Sequence, residues 1–266
     1  MTFLIQQTLV YTIPLMIVAL AGVFAERSGI INIALDGIMI FGSFVGALAV
    51  YMMQTGDMFG GNTQVIYLVA MLVAAIAGAL FSLLLSFSAI NLRADQTIGG
   101  TALNMLAPAV TLLIVKIVSM QDRLTMPKAL GFIISNPDMH GALKPFFDKM
   151  FISTYIVIVL FVVLSILLYK TKYGLRLRAC GEHPQAADSV GINVARMRYL
   201  GTTISGALAG MGGYIYIATT ASGTCGENLT WTLDDAGTLT ISGTGAMNSW
   251  TTGNGVYLSM PWYNNR

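Results

Sequence analysis

Six long apolar stretches, nearly free of charge and joined by polar connections, run from the N-terminus to about Thr219, and there the pattern stops. A chain written this way must bury its backbone polar groups inside helices, because hydrocarbon offers no hydrogen bonds in exchange. Phe3–Phe24 is uncharged, and its roughly 22 residues at about 1.5 Å each cross about 30 Å of hydrocarbon. Pro14 kinks it, as membrane helices tolerate. The next stretches are Ile30–Met53, interrupted by Asp36-Gly37, and Gln64–Ile90, rich in Ala, Leu and Gly. Thr97–Val118 contains Asn104 and Pro108, and Phe151–Tyr169 is almost pure Val, Ile and Leu. Tyr199–Thr219 carries Gly201, Ser205, Gly206, Ala209, Gly210, Gly212 and Gly213, small residues that let helices approach closely in lipid.

Composition agrees with lipid as solvent. Of the 266 residues 55% are hydrophobic and 10% charged, against about 25% charged in soluble domains. A net charge of +2, with no basic cluster interleaved with aromatics, gives no reason to expect nucleic acid as a partner. Cys180 and Cys225 form neither a disulfide framework nor a metal motif, and with two histidines a metal site is not expected. No cofactor is expected, and no nucleophile–base pair suggests an enzyme. Met1–Ala25 lacks Lys and Arg and reads as a retained helix rather than a cleaved signal.

The distribution of Lys and Arg predicts orientation. Lys170, Lys172, Arg176, Arg178, Arg196 and Arg198 share one connection; placing it inside also puts Arg27 and Arg93 inside, eight residues in all. Four lie in the connection outside: Arg123, Lys128, Lys144 and Lys149. A multi-pass protein of the cell membrane is expected, with its N-terminus and its tail extracytoplasmic.

The tail is written in another grammar. All three tryptophans, Trp231, Trp250 and Trp262, follow Thr219, and Arg266 is its one basic residue. Leu229–Leu233 and Thr238–Ser242 flank the turn signal Asp234-Asp235-Ala236-Gly237, which predicts a two-stranded hairpin of marginal stability. The expected fold class is therefore an all-α polytopic membrane protein of about six spanning helices with a short C-terminal β-hairpin segment. The domains are residues 1–219 and 220–266.

The candidate functional residues fall in two groups. In Gly174–Arg198, Pro184 suits the first position of a short helix, Gly191 the residue past its end, and Asn193 the cap of the next helix. This is either an interfacial helix in a positive-inside loop or a docking element. The second group is polar residues within the apolar stretches. Asp36 is a carboxylate at membrane depth, for which a functional role is the default, and a helix starting after Gly37 would aim free N–H groups at a substrate. Alternatively, Asp36 lies near the interface and caps that helix. Asn32, Gln96 and Asn104 bind either substrate or a neighbouring helix.

Gly174–Ala187 together with Gly191-Ile192-Asn193 resembles the coupling loop of ABC-importer permeases for simple sugars, nucleosides and branched-chain amino acids, with His183 where that family usually has Asn. Glu26–Gly37 and Gln96–Asn104 look like the polar stretches of its nucleoside and simple-sugar branch. The resemblance implies a permease that binds no nucleotide. Gly181, Glu182, Ala186, Ala187 and Gly191 would dock on a separate cytoplasmic ATPase, beside a second permease subunit and an extracytoplasmic substrate-binding protein, all in membrane lipid. The chain has no G-x-x-x-x-G-K-[ST] phosphate cradle, in keeping with that division of labour. Ser222–Met247 and Pro261-Trp262-Tyr263 resemble the cap that precedes leucine-rich repeats in bacterial surface proteins. On this reading the chain is a truncated permease fused to an incomplete cap. Its sixth helix would be left with a small-residue face against lipid, and transport would be impaired. A membrane-anchored surface or adhesion protein, and an ion-driven transporter, are the alternative classes.

Overall fold

The computed structural model describes residues 2–56, 63–119, 133–134, 150–220, 222–224, 229–233 and 239–243. The helices are α1 (Thr2–Arg27), α2 (Leu35–Thr55), α3 (Thr63–Ile90), α4 (Gln96–Ser119), α5 (Ile152–Lys170), α6 (Lys172–Glu182), α7 (Pro184–Ser189) and α8 (Val194–Thr220). Among the described residues, four helices are long and apolar enough to cross a membrane, over Leu35–Thr55, Gln64–Ile90, Gln96–Val118 and Ile152–Lys170. Helix α8 is less apolar because Arg196 and Arg198 stand in its first turns and Thr and Gly recur along it.

Short strands β1 (Ile133–Ile134) and β2 (Met150–Phe151) pair antiparallel between α4 and α5. After α8, β3 (Ser222–Thr224), β4 (Leu229–Leu233) and β5 (Leu239–Gly243) form an antiparallel ladder in that order, with Trp231 opposite Ile241. The turn expected at 234–237 lies outside the described residues.

The bundle is built around α8, which packs on α1, α2 and α3. On α3, small residues recur every fourth position, Ala70, Ala74, Gly78, Ser82 and Ser86, and all are buried. They meet an equally small row on α8, running antiparallel. The Ser86 and Thr202 hydroxyls are hydrogen-bonded, a Cβ on Gly206 would strike Ser82, and one on Gly210 would lie 2.5 Å from the Ala74 carbonyl oxygen. The serines keep their hydroxyls satisfied within α3, Ser82 Oγ donating to Ala79 O (2.8 Å) and Ser86 Oγ to Ser82 O (3.1 Å). Above the seam the rings of Tyr67 and Tyr214 lie 5.5 Å apart, both fully buried, and Phe41 of α2 stacks on Phe81 of α3 at 4.7 Å.

This packing corrects one expectation. The small-residue face of α8 is covered by α1, α2 and α3, and residues 208–215 are buried without a break. Close approach of backbones supplies the dispersion contacts that replace a hydrophobic force between helices in lipid. The bulky side chains point the other way. Leu72, Ile76, Leu80, Leu84 and Phe87 make an exposed stripe on α3, as do Ile158, Val159, Val162, Val163 and Ile166 on α5.

A methyl at Gly210 has no space to enter. We expect Gly210→Ala to cost about 1–3 kcal/mol of overpacking strain, read as a lowered melting temperature of the detergent-solubilised chain. Truncation on the outward stripe, such as Ile76→Ala, should shift it far less.

Candidate functional site

Two structures meet at one end of the bundle: a helical hairpin, α6–α7, and the irregular connector between α1 and α2, Ser28–Ala34. The hairpin follows from its sequence. Thr171 caps α6, its Oγ1 accepting from Gly174 N at 3.2 Å. His183 links the two helices, and Pro184, whose missing N–H costs nothing there, is the first residue of α7. The end of α7 closes as a Schellman motif: Ile192 N donates to Ala187 O (3.1 Å) and Gly191 N to Asp188 O (2.9 Å). Gly191 has φ +82°, and a Cβ there would meet nothing within 4 Å, so its requirement is conformational rather than spatial. Asn193 then caps α8, Oδ1 accepting from Arg196 N at 2.9 Å.

The five residues assigned to docking do not share one surface. Glu182, Ala186 and Gly191 are exposed, but Ala187 is only 4% exposed, and it anchors the turn through its carbonyl. Gly181 faces inward: a Cβ there would lie 2.5 Å from Arg27 O and 3.2 Å from Gly29 N. Exposed apolar side chains stand instead at Val190 (74%) and Leu175 (62%). A bulky apolar residue next to the helix-ending glycine was the available signal for Val190. Arg178 lies over the Tyr169 ring, 5.4 Å from its centroid, which ties the hairpin to the end of α5. Cys180 is buried, and that burial pushes its thiol upward against the opposing pull of the Arg198 charge.

The connector changes the reading of the second stretch. Expected to be helical from Ile30, it is irregular until Leu35, because Gly29 turns the chain at φ +83°. The Ser28-Gly29 pair was the legible warning. Asp36 therefore sits in the first turn of α2, exposed, rather than in the middle of a helix. A carboxylate there complements the positive end of the helix dipole. Nor are the N–H groups of that turn all free: Gly37 N donates to Asn104 Oδ1 at 2.8 Å.

The other polar candidates converge on the connector. Asn104 Nδ2 donates to Ile33 O at 2.9 Å, so one amide grips both sides of the start of α2. Gln96 Oε1 accepts from Ile31 N at 2.8 Å, and Asn32 Nδ2 donates to Ser205 Oγ of α8 at 3.0 Å. The side-chain carbonyl oxygen of Asn32 is buried without a partner. Irregular backbone is tolerated at this place because protein groups satisfy it. Gln96 is itself fixed by the cap of α4, where Asp95 Oδ1 accepts from Thr97 N at 2.7 Å and Ile98 N at 3.4 Å. The bond from the Thr97 backbone N–H, chiefly, holds the Asp95 carboxyl below its usual value of 3.8. Among the described residues no group of His, Cys, Asp and Glu could hold a metal ion.

A family of branched-chain amino acid transport system permease components matches residues 4–253. The chain belongs to that family. It is thus a transport permease component and not an enzyme. It is 42% identical over 224 residues to the guanosine ABC transporter permease protein NupQ of Bacillus subtilis, covering 83% of this chain and 69% of that one. It is 38% identical over 217 residues to the nucleoside ABC transporter permease protein NupC of Lactococcus lactis, covering 80% and 66%. A putative glucose ABC transporter permease protein of Haloferax volcanii is 25% identical over 215 residues, covering 79% and 61%. The chain thus spans about two thirds of the length of these relatives. No solved structure matches it significantly.

Two outcomes follow from the bonding. Asn104→Ala strands the Gly37 N–H and the Ile33 C=O, at about 1–3 kcal/mol for each group left unpaired, and should lower the melting temperature accordingly. Because the Asp95 pKa is lowered on folding, its contribution is present above pH 3.8 and is lost as pH falls through the folded value. Acid titration of thermal stability should show that loss, and Asp95→Ala should remove it.

Proposed function

We propose that this chain is the membrane-spanning permease subunit of an ATP-driven importer whose cargo is a nucleoside. One observation carries the reading: the two nucleoside-transporter relatives align with more than three quarters of this chain, at 42% and 38% identity. The glucose-transporter relative, at 25%, makes a simple sugar the weaker choice.

In this reading the α6–α7 hairpin faces the cytosol and docks in a groove of a separate ATPase. Glu182, Ala186, Val190 and Gly191 supply the accessible face, with Val190 as its apolar knob and Glu182 as the group for a basic partner. Gly181 and Ala187 act from behind, shaping the hairpin. A second permease subunit completes the pathway and an extracytoplasmic binding protein delivers the nucleoside. Asn32, Asp36, Gln96 and Asn104 border that pathway where α2 and α4 begin. The hydrogen bonds already made by Gln96 and Asn104 favour a framing role over direct contact with cargo.

Six spans are our count, with α1 and α8 added to the four most apolar helices. Helix α8 qualifies because neighbours cover its polar and small residues, so its modest apolarity does not meet lipid. The N-terminus and the segment after Thr219 then lie outside the cell. That segment, whose ladder has three strands rather than the two of the expected hairpin, we read as a separate β unit of the repeat-cap type.

The test is ATP-dependent uptake of labelled guanosine by proteoliposomes that hold the full chain, ATPase, second permease and binding protein. Guanosine and adenosine should accumulate, and glucose should not compete. Val190→Glu should reduce both ATPase capture and uptake by about tenfold or more, the scale of a desolvated contact replaced by a buried charge. Uptake of glucose with no nucleoside competition would reverse the choice of cargo.

A further inference from the structure

We propose that the connector Ser28–Ala34 is the mechanical link that carries movement of the α6–α7 hairpin to the N-terminal ends of α2 and α4. The inference rests on the importer reading, and it concerns how that importer couples rather than what it carries.

The connector is seated on three sides, and a glycine supplies the close approach on each. On the hairpin side, Gly181 abuts the backbone of Arg27 and Gly29. A Cβ on Gly29 would lie 3.1 Å from the Gly181 Cα and 3.3 Å from the Arg198 guanidinium. On the α8 side, a Cβ on Gly201 would lie 2.5 Å from that of Ser28, which is fully buried, and Asn32 bonds Ser205. On the α4 side, a Cβ on Gly100 would lie 2.8 Å from that of Ile33, while Gln96 and Asn104 hold the Ile31 N–H and the Ile33 carbonyl.

Within itself the connector makes little regular bonding. Ile33 N reaches Ile31 O at 3.2 Å, while Ser28 N (2.9 Å) and Ile30 N (3.3 Å) reach back to Ala25 O and Gly29 N to Glu26 O (3.0 Å), all at the end of α1. Its position is therefore set by the helices around it. Backbone packed against backbone has no rotamers with which to absorb a shift, and a close-packed interior transmits it. Displacement of the hairpin thus enters at Gly181–Gly29. It leaves through Asn104, which grips Ile33 and Gly37 together, and so reaches the first turn of α2 and the first turns of α4 at once.

The test separates coupling from stability. Gly100→Ala presses on the connector at Ile33, and Gly201→Ala presses on it at Ser28 and on the buried Leu177 of α6, both away from the exposed face of the hairpin, whereas Gly210→Ala strains α8 against α3 and α2 without touching the connector. In the reconstituted full complex, the connector variants should capture the ATPase as the unaltered chain does. They should raise the ATP hydrolysed per guanosine transported by about fivefold or more, the lower range of typical site-to-site coupling. Gly210→Ala should lower the melting temperature and leave that ratio unchanged.

Unaltered ratios in both connector variants, or an equal rise in Gly210→Ala, would overturn the inference while leaving the importer reading intact. An unsubstituted chain that captures no ATPase would instead overturn the importer reading, and this one with it. Should the connector variants fail to assemble, hydrogen exchange on the unsubstituted complex decides. ATP should change exchange at the Ile31 and Gly37 amides, and no change there would sink the proposal.

Discussion

The close contact of α3 with α8 is the constraint on which the remaining structure depends. Two rows of small residues, Ala70 to Ser86 and Thr202 to Gly210, bring two backbones together with almost nothing between them. In lipid, apolar bulk gains nothing by facing inward, since tails are as apolar as leucine. What distinguishes the protein interior is how many atoms fit near one another, and glycine, alanine and serine achieve this best. The arrangement reads inside out beside a soluble bundle: bulky residues such as Leu72, Ile76 and Leu80 look outward, and small ones form the seam.

Once α8 is central, the ends of the other helices are placed by it. Its start carries Arg198 and Gly201 to the connector, and Ser205 receives the Asn32 amide. The same helix emerges from the α6–α7 hairpin through the Asn193 cap, so the hairpin and the connector share one support. The polar residues that stand out in an apolar chain, Asn32, Gln96 and Asn104, all serve the one stretch of backbone that is neither helix nor strand between α1 and α2. Placing polar side chains where the backbone is irregular removes the large cost of unpaired groups in a low-dielectric interior.

Much of this was legible beforehand. The helix-start and helix-end signals of the hairpin, Pro184, Gly191 and Asn193, fall at the positions their chemistry demands, because capping is decided within a few residues of chain. The apolar stretches Gln64–Ile90 and Phe151–Tyr169 lie within a residue or so of α3 and α5. The second stretch was read as a span from Ile30 interrupted at Asp36-Gly37, whereas α2 begins at Leu35, because apolar runs do not register a turn made by one glycine. Asp36 is thereby a first-turn residue rather than a break in the middle of a helix.

By itself, the sequence determined the local and the periodic: which stretches are helical, where the hairpin caps, and which face of each helix is small. These depend on neighbours three or four positions away along the chain. The tertiary structure alone decided the partners. Asn104 reaches back to Ile33 and Gly37, Asn32 reaches Ser205, and Gly181 meets Arg27. Those pairings join residues far apart in sequence, and they arise only when helices have packed, because a side chain of given type bonds equally well to any donor or acceptor that packing brings within reach.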